Sequence, residues 1–260
     1  MRRLTALSEM LWIDEQVQPA IAGKGHTVSQ CISPIYAAYA KVFHPIYEDL
    51  SVTDKDLTWQ ATEPDAVSDE DDEATAALKK ILQGSTVVYG THDGSYTVER
   101  ILWAALAQRL DVPVTPKLNA ASFTRKFPTG SWPRRICGPE EGYLDITSIA
   151  SLIKVLQPHT GANRCLFHCW LLTTDELESL VFEGDLADAV LFPHDVPGVH
   201  STPTHWFPED RRWFVNTDYD LPFTLVGGSQ SLIDDLVGSD TLECIVVQPD
   251  TRVDHRADDG

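Results

Sequence analysis

The spacing of apolar positions changes along this chain, and each change marks an element. Between residues 96 and 110, Val98, Ile101, Leu102, Ala105 and Leu106 recur at helical spacing, which predicts a helix there. Ile149, Leu152, Ile153 and Leu156 form a second such stripe. Asp145 precedes it and can accept hydrogen bonds from the first free N–H groups. A third helix over 230–237 follows Gly227-Gly228 and starts behind Ser229, again an N-cap residue. Further helices are expected over 4–22, limited by Pro19, over 73–83, and from the capping-box pair Thr173 and Glu176 to about Gly184.

Strands are expected where apolar and β-branched residues cluster without that period: 35–43, 85–90, 164–171, 188–192, 212–218, 222–226 and 242–248. If 164–171 is a strand, Cys165, Phe167, Cys169 and Leu171 face one side and Leu166, His168 and Trp170 the other. The stretch 61–73 carries seven acids and reads as a solvated loop. Four prolines leave 111–133 without a clear period, and Pro193, Pro197, Pro203 and Pro208 make 193–210 a long irregular loop. The tail 251–260 is expected to be loose. Alternation of helix and strand, with a β-β pair near the C-terminus, predicts an α+β fold. The expected form is a mixed β-sheet packed with several helices, in a single large domain over 1–250.

Composition supports a full hydrophobic core, since 43% of the 260 residues are apolar. The 39 acids and 20 bases leave a net charge of −19, which repels phosphate backbones and anionic lipid. Nucleic acid and membranes are therefore excluded as general partners, and a basic protein or a small molecule is left. No stretch is long and apolar enough for a membrane span, and Glu9, Asp14 and Glu15 interrupt any export signal, so the expected location is cytoplasmic. Cys31, Cys137, Cys165, Cys169 and Cys244 are odd in number and widely spread, which reads as reduced, mostly buried thiols.

Several runs carry a resemblance: Ala-Tyr-Ala-Lys-Val-Phe-His-Pro (38–45), Gly-Pro-Glu-Glu-Gly (138–142), Cys-Leu-Phe-His-Cys-Trp (165–170), and the segment 206–229 beginning Trp-Phe-Pro-Glu-Asp-Arg-Arg-Trp-Phe. Together the chain resembles an uncharacterised group of bacterial, actinobacterial-type proteins of unknown function. The resemblance implies a bacterial cytoplasmic origin and carries no catalytic residue.

Candidate chemistry falls in four places. Cys165-x-x-His168-Cys169 has the look of a metal site, but in a strand the two thiols lie ~13 Å apart, too far for a shared metal. Asp218 and Asp220, two apart near His205, could hold a divalent cation or could simply form a turn. His205, Trp206, Phe207, Trp213 and Phe214, with Arg211 and Arg212 between them, could line a pocket or lid a core. Residues 112–139 hold Lys117, Arg125, Lys126, Arg134 and Arg135 and no acid, with Phe123, Phe127 and Trp132 interleaved. Guanidinium forks at Arg125, Arg134 and Arg135 could grip an anion beside Trp132, or could answer acidic neighbours. Phosphate-loop, dinucleotide, nucleophile-elbow and zinc-protease motifs are missing, and no cofactor or metal is called for. The reading is a non-catalytic binding or regulatory protein. The alternative is a hydrolase or transferase with its site around residues 205–220.

Overall fold

A computed structural model of the chain describes residues 1–4, 10–16, 25–53, 98–172, 177–196, 199 and 201–258. The fold is α+β: the described residues hold eleven strands and six α-helices. Their contacts divide them into two compact units. The first comprises Met1–His44, Val114–Asn119 and Glu141–Gly260, and the second Pro45–Pro113 with Ala120–Glu140.

The first unit is built on eight strands: β1 (Arg2–Leu4), β2 (Ala38–Phe43), β6 (Cys165–Leu172), β7 (Leu177–Gly184), β8 (His205–Pro208), β9 (Phe214–Asn216), β10 (Phe223–Gly228) and β11 (Cys244–Val247). They lie in the order β1-β7-β6-β8-β9-β10-β2-β11. Every pairing is antiparallel, so this sheet is not the mixed one expected. The chain returns by hairpins and antiparallel crossings where a mixed sheet would need a parallel connection.

Alternation gives the sheet two unlike faces. One presents Cys165, Phe167, Cys169, Trp206, Val215, Val226, Ala40 and Val42, all completely buried. Helix α4 (Ile146–Thr160) lays Ile149, Leu152 and Leu156 into this core, and α6 (Gln230–Val237) adds Leu232, Ile233 and Leu236. Each such side chain contributes ~1.5–3 kcal/mol of burial free energy. The predicted caps hold both helix starts: Asp145 Oδ1 accepts from the Ser148 N–H at 2.8 Å, and Ser229 Oγ from the Leu232 N–H at 3.3 Å. The other face carries His168, Trp170, Ser179, His205, Phe214, Asn216, Leu225 and Lys41. Trp12 of α1 (Leu11–Gln16) covers part of it, edge-on to Phe207 at 5.1 Å and Phe214 at 5.5 Å. The C-terminal segment is not loose in its described part. Arg252 bridges Thr27, the Val253 N–H donates to His26 O, and Val253 and Ala257 are buried.

The second unit holds a small antiparallel sheet, β4-β3-β5, of β3 (Ile46–Asp49), β4 (Val98–Ile101) and β5 (Ile136–Cys137). Helices α2 (Trp103–Leu110) and α3 (Ala120–Thr124) meet through Trp103 and Phe123, whose rings are 5.3 Å apart.

Four expected elements change identity. The helix predicted over 96–110 is strand β4 followed by α2, because Val98–Ile101 pairs along β3. The helix predicted to end near Gly184 is strand β7, paired over its length with β6. Residues 188–192 are not a strand: Leu186–Leu191 form a 3-10 helix, capped by the Asp185 and Asp188 side chains, and α5 (Phe192–Asp195) follows. The loop 193–210 contains β8. The expected acidic loop at 61–73, the helix at 73–83 and the strand at 85–90 lie outside the described residues.

Candidate active site

The site begins with the alternation of β6. Cys165, Phe167 and Cys169 take the core side, so His168 and Trp170 emerge on the opposite face. Hairpin register then sets Trp170 across from Ser179 on β7, and the β6–β8 pairing sets His168 across from His205. Neighbouring strands thus deliver three polar side chains to one patch. Ser179 Oγ lies 2.9 Å from His168 Nε2, and His168 Nδ1 lies 3.0 Å from His205 Nδ1. The two imidazoles stack with centroids 5.1 Å apart and planes 11° apart. His168 is 4% exposed, and Ser179 and His205 are half-buried.

Burial, and then the neighbouring His168, push the His205 pKa down to about 3. His205 is therefore neutral at ordinary pH, with one bare and one protonated ring nitrogen. Two tautomer arrangements satisfy both hydrogen bonds. In one, His168 Nδ1–H donates to His205, and His168 Nε2 is a bare base that accepts the Ser179 hydroxyl. In the other the protons run the opposite way. The first arrangement joins a hydroxyl nucleophile, a general base and a group that orients the base, the pattern of nucleophilic catalysis.

The remaining residues singled out from the sequence are placed as follows. Trp206 is wholly buried on the core face, 6.2 Å from Trp213 in an edge-to-face pair, and faces away from His205. Arg211 is exposed, adopts a left-handed backbone (φ 56°), and sets its guanidinium 4.6 Å above Trp12. Asp218 and Asp220 form a turn, with Asp218 Oδ1 accepting from the Asp220 N–H at 2.9 Å. Burial and then Asp218 raise the Asp220 pKa. Among the described residues, no group of three or more His, Cys, Asp or Glu side chains could hold a metal ion. Four positions lie in the second unit. Arg125 donates to Ala121 O within its own turn, Arg135 pairs with Glu48 at 3.2 Å, and Arg134 is partly buried. Trp132 packs on Phe123 and Phe127 at 6.1 and 5.8 Å. Phe123 is completely buried, so it offers no face to a ligand.

Two other arrangements in the first unit were not anticipated. Cys31 Sγ lies 3.4 Å from His26 Nε2, but burial, then Asp218, raise the thiol pKa far above neutrality, which keeps it un-ionised. Lys41 is wholly buried; its Nζ donates to Leu118 O at 2.8 Å and sits 4.5 Å from the Phe223 ring centroid. Ser179 is the candidate site residue that sequence reasoning missed. Its only advance signal was His168 standing opposite the core-facing cysteines. The chain matches no protein-family model, no curated protein and no solved structure.

Proposed function

We propose that this protein is a hydrolase acting by acyl transfer, with Ser179 as nucleophile, His168 as general base and His205 as the residue that orients it. The observation that carries the reading is the unbroken hydrogen-bond chain from Ser179 Oγ through both imidazoles. Ser179 Oγ attacks the carbonyl carbon of an ester while its proton passes to His168 Nε2. The tetrahedral adduct collapses, the carbon–oxygen bond to the leaving alcohol breaks, and His168 returns the proton to that alcohol. Water then attacks the acyl-serine, giving its proton to His168, and the acid leaves as Ser179 Oγ is reprotonated. His205 accepts from His168 Nδ1 throughout and holds the productive tautomer. A neutral imidazole steadies the imidazolium less than a carboxylate does, so a modest turnover is expected.

A fluorophosphonate probe tests this directly. Intact-mass analysis should show one stoichiometric adduct on the wild type and none on Ser179→Ala, and His168→Ala should slow labelling at least about a hundredfold. Equal labelling of wild type and Ser179→Ala, or no labelling of a folded wild type, refutes the proposal.

The competing reading, a non-catalytic partner for a basic protein, is supported by the net charge of −19 and predicts an inert Ser179. A cytoplasmic setting is supported by five free thiols, and no described helix is long and apolar enough to cross a membrane. The resemblance to actinobacterial-type proteins agrees with that setting. A single cooperative domain is supported by the path of the chain, which passes between the two units at 44–45, 113–114, 119–120 and 140–141.

A further inference from the structure

We infer that Trp170 is the substrate platform of this site, and that the substrate is an uncharged carboxylic ester bearing an aromatic or similarly bulky apolar group. The inference rests on Ser179 being the nucleophile. Trp170 is the register partner of Ser179 on the adjacent strand, so both side chains rise from the same face. Their Cβ atoms are then about 4.5–5.5 Å apart, within the span of a small ester. The indole is 41% exposed, although its strand neighbours Phe167, His168 and Cys169 are buried.

An exposed Trp by itself needs no explanation. This one is held in place beside the reacting groups, because its ring stands edge-on to His168 with centroids 4.8 Å apart and planes 78° apart. An apolar group seated on the exposed surface would have its ester carbonyl near Ser179 Oγ. Charge narrows the choice further. Among the described residues beside β7, Arg2 and Arg164 are both paired with Glu183, so neither of these two is free to hold an anionic substrate. The chain's net charge of −19 repels anions at longer range. A neutral ester meets neither obstacle.

The test compares methyl phenylacetate, methyl acetate and monomethyl succinate on wild type, Trp170→Ala, Trp170→Phe and Ser179→Ala. Trp170→Ala should lower kcat/KM for the aromatic ester about tenfold, as expected for loss of one aromatic contact, and for methyl acetate less than about twofold. Trp170→Phe should restore most of the loss, and the anionic ester should be the poorest substrate at low salt. Equal losses on both neutral esters would make Trp170 structural and overturn the inference while leaving Ser179 in place. Hydrolysis by Ser179→Ala at the wild-type rate would instead sink the catalytic reading. Binding gives an independent measure: methyl phenylacetate titrated into Ser179→Ala should shift the NMR signals of His168 and of the Trp170 indole. No shift, or the same His168 shift after Trp170→Ala is added, overturns the inference whatever the turnover.

Discussion

Replacing Lys41 by methionine should change how stability depends on pH, and the sign follows from where the lysine sits. Lys41 lies in a central position of β2, wholly buried, with Leu225 and Ile245 across from it on the two neighbouring strands. Desolvation, opposed by Asp258, lowers its pKa from 10.5 to about 7. In the unfolded chain the amine keeps its ordinary value. Between those two values the unfolded state holds a proton that the folded state has released, so stability rises with pH. The stabilisation is complete above about 10.5, falls as pH falls through the window, and is absent below about 7. Each pH unit is worth about 1.4 kcal/mol, which sets a ceiling of about 5 kcal/mol over the whole window. Over the accessible part, pH 7 to 9, wild type should gain about 2 kcal/mol relative to Lys41→Met. The methionine also removes the hydrogen bond to Leu118 O, but that cost is the same at every pH. Urea unfolding of both proteins at pH 6, 7, 8 and 9 isolates the slope. A difference between them that stays flat across this series would show that Lys41 keeps its proton inside the sheet, and the reasoning would fail.

Two further outcomes are expected. Gly142 has φ +65°, and a Cβ there would come within 2.7 Å of Tyr219 Cα, a backbone atom, so Gly142→Ala should cost at least roughly 1–2 kcal/mol, read from urea midpoints; an unchanged midpoint would contradict it. Scanning calorimetry should give one transition with equal calorimetric and van't Hoff enthalpies, and two resolved peaks would mean that the two units unfold separately.

Local chemistry was legible in the sequence wherever one residue decides the structure. Asp145 and Ser229 cap the helices expected of them, because an N-cap needs only its own side chain and the N–H groups that follow. The 165–171 alternation was readable for a similar reason, since its core side is wholly apolar. Elements decided by distant partners were not. Val98 and Ile101 satisfy a helical period as well as a strand, with Glu99 and Arg100 exposed between them, and only pairing with β3 makes them a strand. Thr173 and Glu176 read as a helix start, yet pairing with β6 makes Leu177–Gly184 a strand. The same limit hid the candidate site. Ser179 has no nucleophile motif around it, and it meets His168 and His205 only through the registers of two strand pairs. His205 stands beside Trp206 in the sequence, but adjacent strand residues face opposite sides, so the aromatic frame divides between core and site.

A neutral third member suits a site built in this way. An Asp in place of His205 would lie against the stacked His168 ring on a largely buried sheet, in a chain that already carries 39 acids. Its ionised form would cost several kcal/mol in desolvation, offset only by attraction to an imidazolium that forms transiently in the proposed reaction. An imidazole makes the same directional hydrogen bond without a standing charge. The environment that keeps it neutral also limits the site in acid. The His205 pKa is depressed from 6.5 to about 3, so the stability it contributes is complete above 6.5 and is lost as pH falls towards 3. Protonation would place two donors on His205, leaving no bare nitrogen to accept from His168 Nδ1–H. The tautomer that aims His168 Nε2 at Ser179 would lose its support, so orientation and neutrality of this imidazole are coupled.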